Sequence, residues 1–389
     1  MMSGALRGKV AIAGIGLAAC GEAPGRSELE ILAEAALVAI ADAGMTTRDI
    51  DGLCTASTTT FFPTLAVAEY LGIRPAFSDS NSIGGSSFVS HLIPAVLALE
   101  AGLTNAVLVA YGNNQRTGVG RTAQGRLKAQ LDPLAFEAPY RPFNPPTSYA
   151  LAAARHIYQY GTKREQLAEV AVAARKWAQL NPVAYSRGPL SIDEVLESRM
   201  ISDPLTVRDC CLVTDGGGAF VLTRADRAKS LPQPPVFVLG MGAAHWHRQI
   251  SQMPDITITA ATESGAKAYA MAGLAPQDID VAELYDAFTI NTILFLEDLG
   301  FCKKGEGGNF VEGGAIAPGG RLPVNTNGGG LSCVHPGMYG IFTIIEAVSQ
   351  LRNTAGERQI AGAEIALCHG NGGMLSSQVT AILGGAATV

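Results

Sequence analysis

Charge is scarce in this 389-residue chain: Asp, Glu, Lys and Arg make up only 16% of it. The net charge of -6 leaves no basic excess to neutralise a phosphate backbone, which excludes nucleic-acid binding as a main role. No apolar run reaches the roughly 20 residues that a membrane-spanning helix needs. The N-terminal MMSGALRGKVAIAG has no apolar core followed by a small-residue cleavage site. The expectation is a soluble, cytoplasmic chain. The seven cysteines, Cys20, Cys54, Cys210, Cys211, Cys302, Cys333 and Cys368, form an odd set without CxxC spacing. That argues against both a disulfide framework and a zinc site, so no metal is expected. A buried, inert thiol is the default for each.

What is abundant is glycine, 45 residues, against a 48% hydrophobic background. This composition suits a compact α/β protein with many tight strand-to-helix turns. The length calls for two domains or one doubled domain. Internal repetition favours doubling. VAIAGIG from Val10 matches VFVLGMG from Val236, and ADAGMTTRDID ending at Asp51 matches AMAGLAPQDID ending at Asp280. GGSSF from Gly84 matches GGGLS from Gly328, and LVAYGN ending at Asn113 matches ALCHGN ending at Asn371. Each copy reads as strand, helix, short strand, Gly-rich turn, buried helix, strand. The expected halves are residues 1–230 and 231–389, joined near PQPP (Pro232 to Pro235), with an insertion at about 114–200 in the first. Ser27 and Glu30 form a capping box for the first helix, and Gly44 supplies its C′ residue. The segment Phe88 to Leu99 is apolar on nearly all sides and is therefore expected between two sheets, with Pro94 kinking it.

Several motifs could carry chemistry. The turn Asn81-Ser82-Ile83-Gly84-Gly85-Ser86-Ser87 brings glycine dihedrals and free amides to a helix N-terminus, where negative charge is favoured. Plain N-capping by Ser86 or Ser87 is the structural alternative. In Tyr285-Asp286-Ala287-Phe288, Asp286 reads equally as an N-cap and Tyr285 as core. His335, in GGGLSCVHPGMYG, stands in a glycine-rich turn where a core histidine would be out of place. Cys368-His369-Gly370-Asn371-Gly372-Gly373 offers a thiol, an imidazole and free amides for acid-base work and oxyanion stabilisation. A buried strand-end thiol beside a surface histidine explains it too. His245-Trp246-His247 has metal-like alternation without further ligands, and is read as structural or substrate-facing.

Taken together, the doubled unit, the His-Pro turn, the C-x-G turn and EDLGFCKKGEGG (Glu297 to Gly308) resemble the thiolase superfamily over essentially the whole chain. The nearest branch is that of sterol-carrier-protein-X-type thiolases and lipid-transfer-protein-like relatives, including steroid side-chain retro-aldolases. The resemblance implies a five-layered αβαβα thiolase fold, a homodimer, and coenzyme A as part of the substrate, with no cofactor of the protein's own. It assigns His335 to the histidine of the His-Pro turn, although Val334 replaces the usual preceding glycine, and Cys368 to the C-x-G cysteine. His369, Gly84, Gly85, Asn371 and Gly372 fall in the same turns. Ser82 stands where the nucleophilic cysteine belongs. A serine hydroxyl is far less ionised than a thiol, and neither Asn81 nor Ile83 supplies a base.

Enolate stabilisation survives such a loss, and it suffices for aldol or retro-aldol chemistry without an acyl-enzyme. The leading expectation is therefore an aldolase-type lyase on a 3-hydroxyacyl-CoA, with Tyr285 and Tyr339 as acid-base candidates and His335 as enolate stabiliser. The resemblance also brings in a small OB-fold, zinc-ribbon partner protein. An acyl-CoA acyltransferase of thiolase type and a non-catalytic acyl-CoA-binding scaffold are the alternatives.

Overall fold

A computed structural model describes residues 4–118 and 136–389. Residues 119–135 of the expected insertion lie outside the described residues. The first half contributes β1 (Val10–Gly21), β2 (Gly52–Cys54), β3 (Phe77–Asp79) and β4 (Ala106–Asn113). A small hairpin, β5 (Met200–Ser202) and β6 (Leu205–Thr206), precedes β7 (Asp215–Arg224). The second half contributes β8 (Val236–His245), β9 (Val281–Leu284), β10 (Ile365–Gly372) and β11 (Ser377–Gly384).

Hydrogen bonding orders the large sheet β3-β2-β4-β7-β1-β8-β11-β10-β9. In the first half β4 and β3 flank β2 in parallel, and β7 runs antiparallel to both β4 and β1. In the second half β10 is parallel to β9, and β11 is antiparallel to both β10 and β8. A parallel bridge between Ala282 and Val324 takes the place of β3. The same arrangement thus occurs twice. The half-sheets join through Ala11 with Phe237 and Ile12 with Val236, and the Gly8 N–H donates to the Val238 carbonyl at 2.9 Å just before β1.

Helix Glu28–Asp42 packs on β1, β4 and β7, and helix Ala261–Ala272 packs on β8 and β11. The first carries the expected capping box: Glu30 N–H donates to Ser27 Oγ at 3.2 Å, and Ser27 N–H donates to the Glu30 carboxylate at 2.7 Å. Between the half-sheets run the helices Ser87–Ser90 and Leu92–Glu100 and their counterpart Gly340–Leu351, every residue of which is buried. Gly340–Leu351 touches β7 and β1 of one half and β9 and β10 of the other, while Ser87–Ser90 touches β10 and β11. The helix around Pro94 is interrupted at His91, so that Pro94 falls in the first turn of the second segment, where a missing N–H is tolerated.

The structure corrects one repeat assignment. GGGLS does not open the second central helix: Gly329–Cys333 forms a single π-helical turn, and the helix begins at Gly340 after the His335 turn. The repeated Gly-x-Gly, by contrast, has one job in both halves. A methyl on Gly14 or Gly16 would strike the backbone of Ala39 or Ala35, and one on Gly240 or Gly242 would strike that of Ala268 or Ser264. Each pair of glycines lets a helix lie directly on its strand. Gly14→Ala and Gly240→Ala should each destabilise the fold by about 1–3 kcal/mol in urea melts. Gly188→Ala, where a methyl meets open space, should stay within about 0.5 kcal/mol of wild type. Equal effects at all three positions would contradict this packing.

Candidate active site

Four turns meet in one place, each brought close by a glycine. A methyl on Gly85 would run into the ring and hydroxyl of Tyr285, and one on Gly340 into the Gly85 carbonyl. One on Gly372 would meet the Ile83 carbonyl, and one on Gly84 the backbone of Gly372 and Gly373. Gly84 also has φ 75°, which glycine adopts without strain. The turns containing Ser82, Tyr285, His335 and Asn371 therefore share one surface.

Tyr285 is at its centre. Its hydroxyl lies 3.2 Å from His335 Nε2 and accepts the Tyr339 N–H at 3.1 Å. Both Tyr285 and His335 are buried. Burial pushes the Tyr285 phenol well above its ordinary value and His335 down to about 4, so the pair is uncharged near neutral pH. His335 is anchored by its own N–H, which donates to Thr214 Oγ1 at 2.9 Å. Tyr339 is fully buried, and its hydroxyl donates to Asn327 Oδ1 at 3.0 Å. It backs Tyr285, meeting it edge to face with ring centroids 5.6 Å apart.

The remaining predicted residues fall in other positions. Ser82 is exposed, with no hydrogen-bond partner for its hydroxyl among the described residues. Cys368 is buried, its thiol facing the Thr343 carbonyl at 3.5 Å and held well above its usual pKa by burial. His369 is not a surface histidine. It is fully buried, with Nδ1 2.9 Å from Thr380 Oγ1 and Nε2 2.9 Å from Gln378 Oε1. From Gln378 the chain of bonds continues to Asn371 Oδ1, from Asn371 Nδ2 to Tyr149 Oη, and from Tyr149 to the Gly373 carbonyl, each at 2.8 Å. His369 thus holds the Asn371–Gly373 turn in shape. Asp286 is not an N-cap: it accepts the Gly330 N–H at 2.6 Å, burial lifts its carboxyl to about 7, and Phe288 occupies the cap position. Neither Ser86 nor Ser87 caps the central helix through its side chain. Ser87 Oγ instead accepts the Ile83 N–H at 3.1 Å.

The family model for thiolase C-terminal domain-like sequences matches residues 242–385. The chain is 36% identical to the 17-hydroxy-3-oxo-4-pregnene-20-carboxyl-CoA lyase of Mycobacterium tuberculosis, over 96% of this chain and 98% of that one. The chain belongs to the thiolase superfamily. Its similarity extends to an acetyl-CoA acetyltransferase of Methanothermobacter thermautotrophicus, at 36% identity over 94% of this chain and 96% of the other. Among solved structures, the Ltp2–ChsH2(DUF35) aldolase matches with a TM-score of 0.88 and 35% identity, covering 98% of this chain and 99% of that one. This member of the superfamily therefore sits in the branch that holds steroid side-chain-cleaving aldolases and sterol carrier protein 2-type thiolases.

Three site-building residues carry no signal in the motifs. Tyr149 enters from the insertion, its ring stacked on Phe288 at 4.3 Å. Asn327 sits one residue outside the glycine run, and Gln378 is an ordinary strand residue by pattern. Only the fold brings them to the turns.

The two buried imidazoles make a pH prediction. His335 and His369 are both lowered to about 4 by burial, whereas an unfolded histidine titrates near 6.5. Unfolding therefore takes up protons between about pH 6.5 and pH 4, and the stability both rings contribute at neutral pH is lost as pH falls through that window. Imidazole NMR titrations should give midpoints near 4 for both. Midpoints near 6.5 would show that the rings reach solvent.

Proposed function

We propose that this chain is an aldolase-type carbon–carbon lyase that cleaves a 3-hydroxyacyl-CoA by retro-aldol chemistry, without an acyl-enzyme. The observation that carries the proposal is the Tyr285–His335 pair: two buried, uncharged groups in hydrogen-bond contact at 3.2 Å, beside a turn whose nucleophile position holds only an exposed serine. Coenzyme A enters as part of the substrate, and no cofactor of the protein's own is invoked.

In the proposed reaction the substrate's β-hydroxyl gives its proton to the pair. Tyr285 accepts it while passing its own proton to His335 Nε2, so that no free tyrosinate forms and the imidazolium, itself disfavoured by burial, is paired with the negative charge developing on the substrate. The Cα–Cβ bond then breaks, its electrons forming the thioester enolate and leaving a ketone. The proton returns through Tyr285 to the enolate carbon, so no proton or electron is gained overall. Hydrogen-bond donors in a water-poor site supply the enolate's stabilisation. Tyr339 acts behind Tyr285, through its N–H, and not as a second acid.

The relatives include both chemistries, and the nucleophile position separates them. The lyase and the aldolase match nearly the whole chain, as does the acetyltransferase. The acyltransferase alternative needs an activated nucleophile, however, and among the described residues no base is in hydrogen-bond contact with the Ser82 hydroxyl. A partner of the OB-fold, zinc-ribbon kind is proposed by analogy with the aldolase that was solved with its DUF35 chain. A homodimer is proposed from the open edge strand β3 and the exposed Phe61, Phe62 and Leu65 nearby in the chain.

Tyr285→Phe should keep the fold and lose cleavage of 3-hydroxyacyl-CoA substrates by at least about 100-fold, assayed with and without such a partner. Mass spectrometry after incubation with acyl-CoA should find no adduct on Ser82 or any cysteine. Full activity in the phenylalanine variant, or a stable acyl adduct, would overturn the proposal.

A further inference from the structure

The His245-Trp246-His247 motif is not used by the mechanism above, yet His245 is wired to one of the site's turns. His245 ends β8 and lies opposite Ser377, the first residue of β11. Its Nδ1 is 2.9 Å from Ser377 Oγ, Ser377 Oγ is 2.7 Å from Ser86 Oγ, and Ser86 Oγ donates to the Ile83 carbonyl at 3.0 Å. His245 is exposed, whereas Ser377 and Ser86 are buried.

The chain has only one direction. A carbonyl can only accept, so the single Ser86 proton goes to Ile83, and Ser86 must accept from Ser377. Ser377 has then spent its proton and must accept from His245, which therefore carries hydrogen on Nδ1. The relay ends where the two site turns touch, since the Ile83 carbonyl is the group against which Gly372 packs. In a trans peptide the N–H of Gly84 points opposite to that carbonyl, away from Ser86. This N–H has no acceptor among the described residues.

We propose that His245 is a positioning residue: through Ser377 and Ser86 it locks the Ile83–Gly84 peptide so that the Gly84 N–H is presented to the thioester oxygen as an enolate donor. The proposal rests on the aldolase reading for its substrate, but the relay itself does not. An oxygen that gains charge on bond cleavage is held by a donor fixed beforehand, and no reorientation is needed at that moment.

The test uses the full chain with His245→Ala, Ser377→Ala, the double variant, and His245→Asn, whose amide N–H can replace the Nδ1–H. Each alanine variant should lower kcat by about 10-fold, a fraction of the 10²–10³ that outright loss of an oxyanion donor costs, with KM within about twofold. The double variant should be no worse than the singles, and His245→Asn should restore kcat. Hydrogen–deuterium exchange of the segment from Ser82 to Ser87 should quicken in the alanine variants and return to wild type in His245→Asn. Unchanged kcat, additive losses, or failure of asparagine to restore either readout would overturn the relay. If wild type cleaves no 3-hydroxyacyl-CoA, the aldolase reading falls and the exchange measurement alone decides whether the relay holds the turn.

Discussion

Everything in the site depends on backbone approaching backbone more closely than β-carbons allow. Gly372 lies on the Ile83 carbonyl, Gly340 on the Gly85 carbonyl, and Gly85 against the Tyr285 ring. Protein interiors transmit such constraints because they are close-packed. Moving any one turn outward would separate Tyr285 from His335 and the Ser82 turn from the Asn371 turn. The central helix Gly340–Leu351, buried on all sides, makes the arrangement rigid, since strands of both halves clamp it.

Burial also sets the chemistry. Tyr285, His335, Cys368 and His369 are each biased toward the neutral form by loss of water. A thiolase-type acyl transfer needs a thiolate or its equivalent, and a neutral site with a bare serine is poorly suited to make one. A site of neutral donors is well suited to share one proton between a hydroxyl and an enolate. The same fold thus supports different reactions through a few side chains set on its turns.

Much of this was legible in the residues. Doubled Gly-x-Gly and Asp-Ile-Asp motifs predicted the repeated half, because glycine at those positions serves helix-on-strand contact in both copies. Three of the four turns were visible as glycine clusters, and the Tyr285 turn as a motif without glycine. What was not legible depends on long-range placement. GGGLS resembled GGSSF closely enough to hide that the second helix starts only after the His335 turn. His369 read either as an acid-base group of the turn or as a surface histidine, but β10 continues through it and buries it beside Gln378 and Thr380. Asp286 looked like a helix cap because its actual partners, the amides of Gly330 and Leu331, lie more than forty residues away in sequence. Tyr149 and Asn327 belong to the site only because helices of the insertion and the loop before Gly328 are folded against it.

In the proposed reaction the protein makes and holds a thioester enolate without an acyl-enzyme. Solvent exchange at the α-carbon of the short acyl-CoA product reads this step alone. Acetyl-CoA and propionyl-CoA would be incubated with the protein in D2O, alone and with a DUF35-type partner, and deuterium at the α-carbon followed by mass spectrometry. The account predicts protein-dependent deuterium incorporation that disappears in Tyr285→Phe. Absence of exchange in every preparation, or exchange that persists without the Tyr285 hydroxyl, would contradict it.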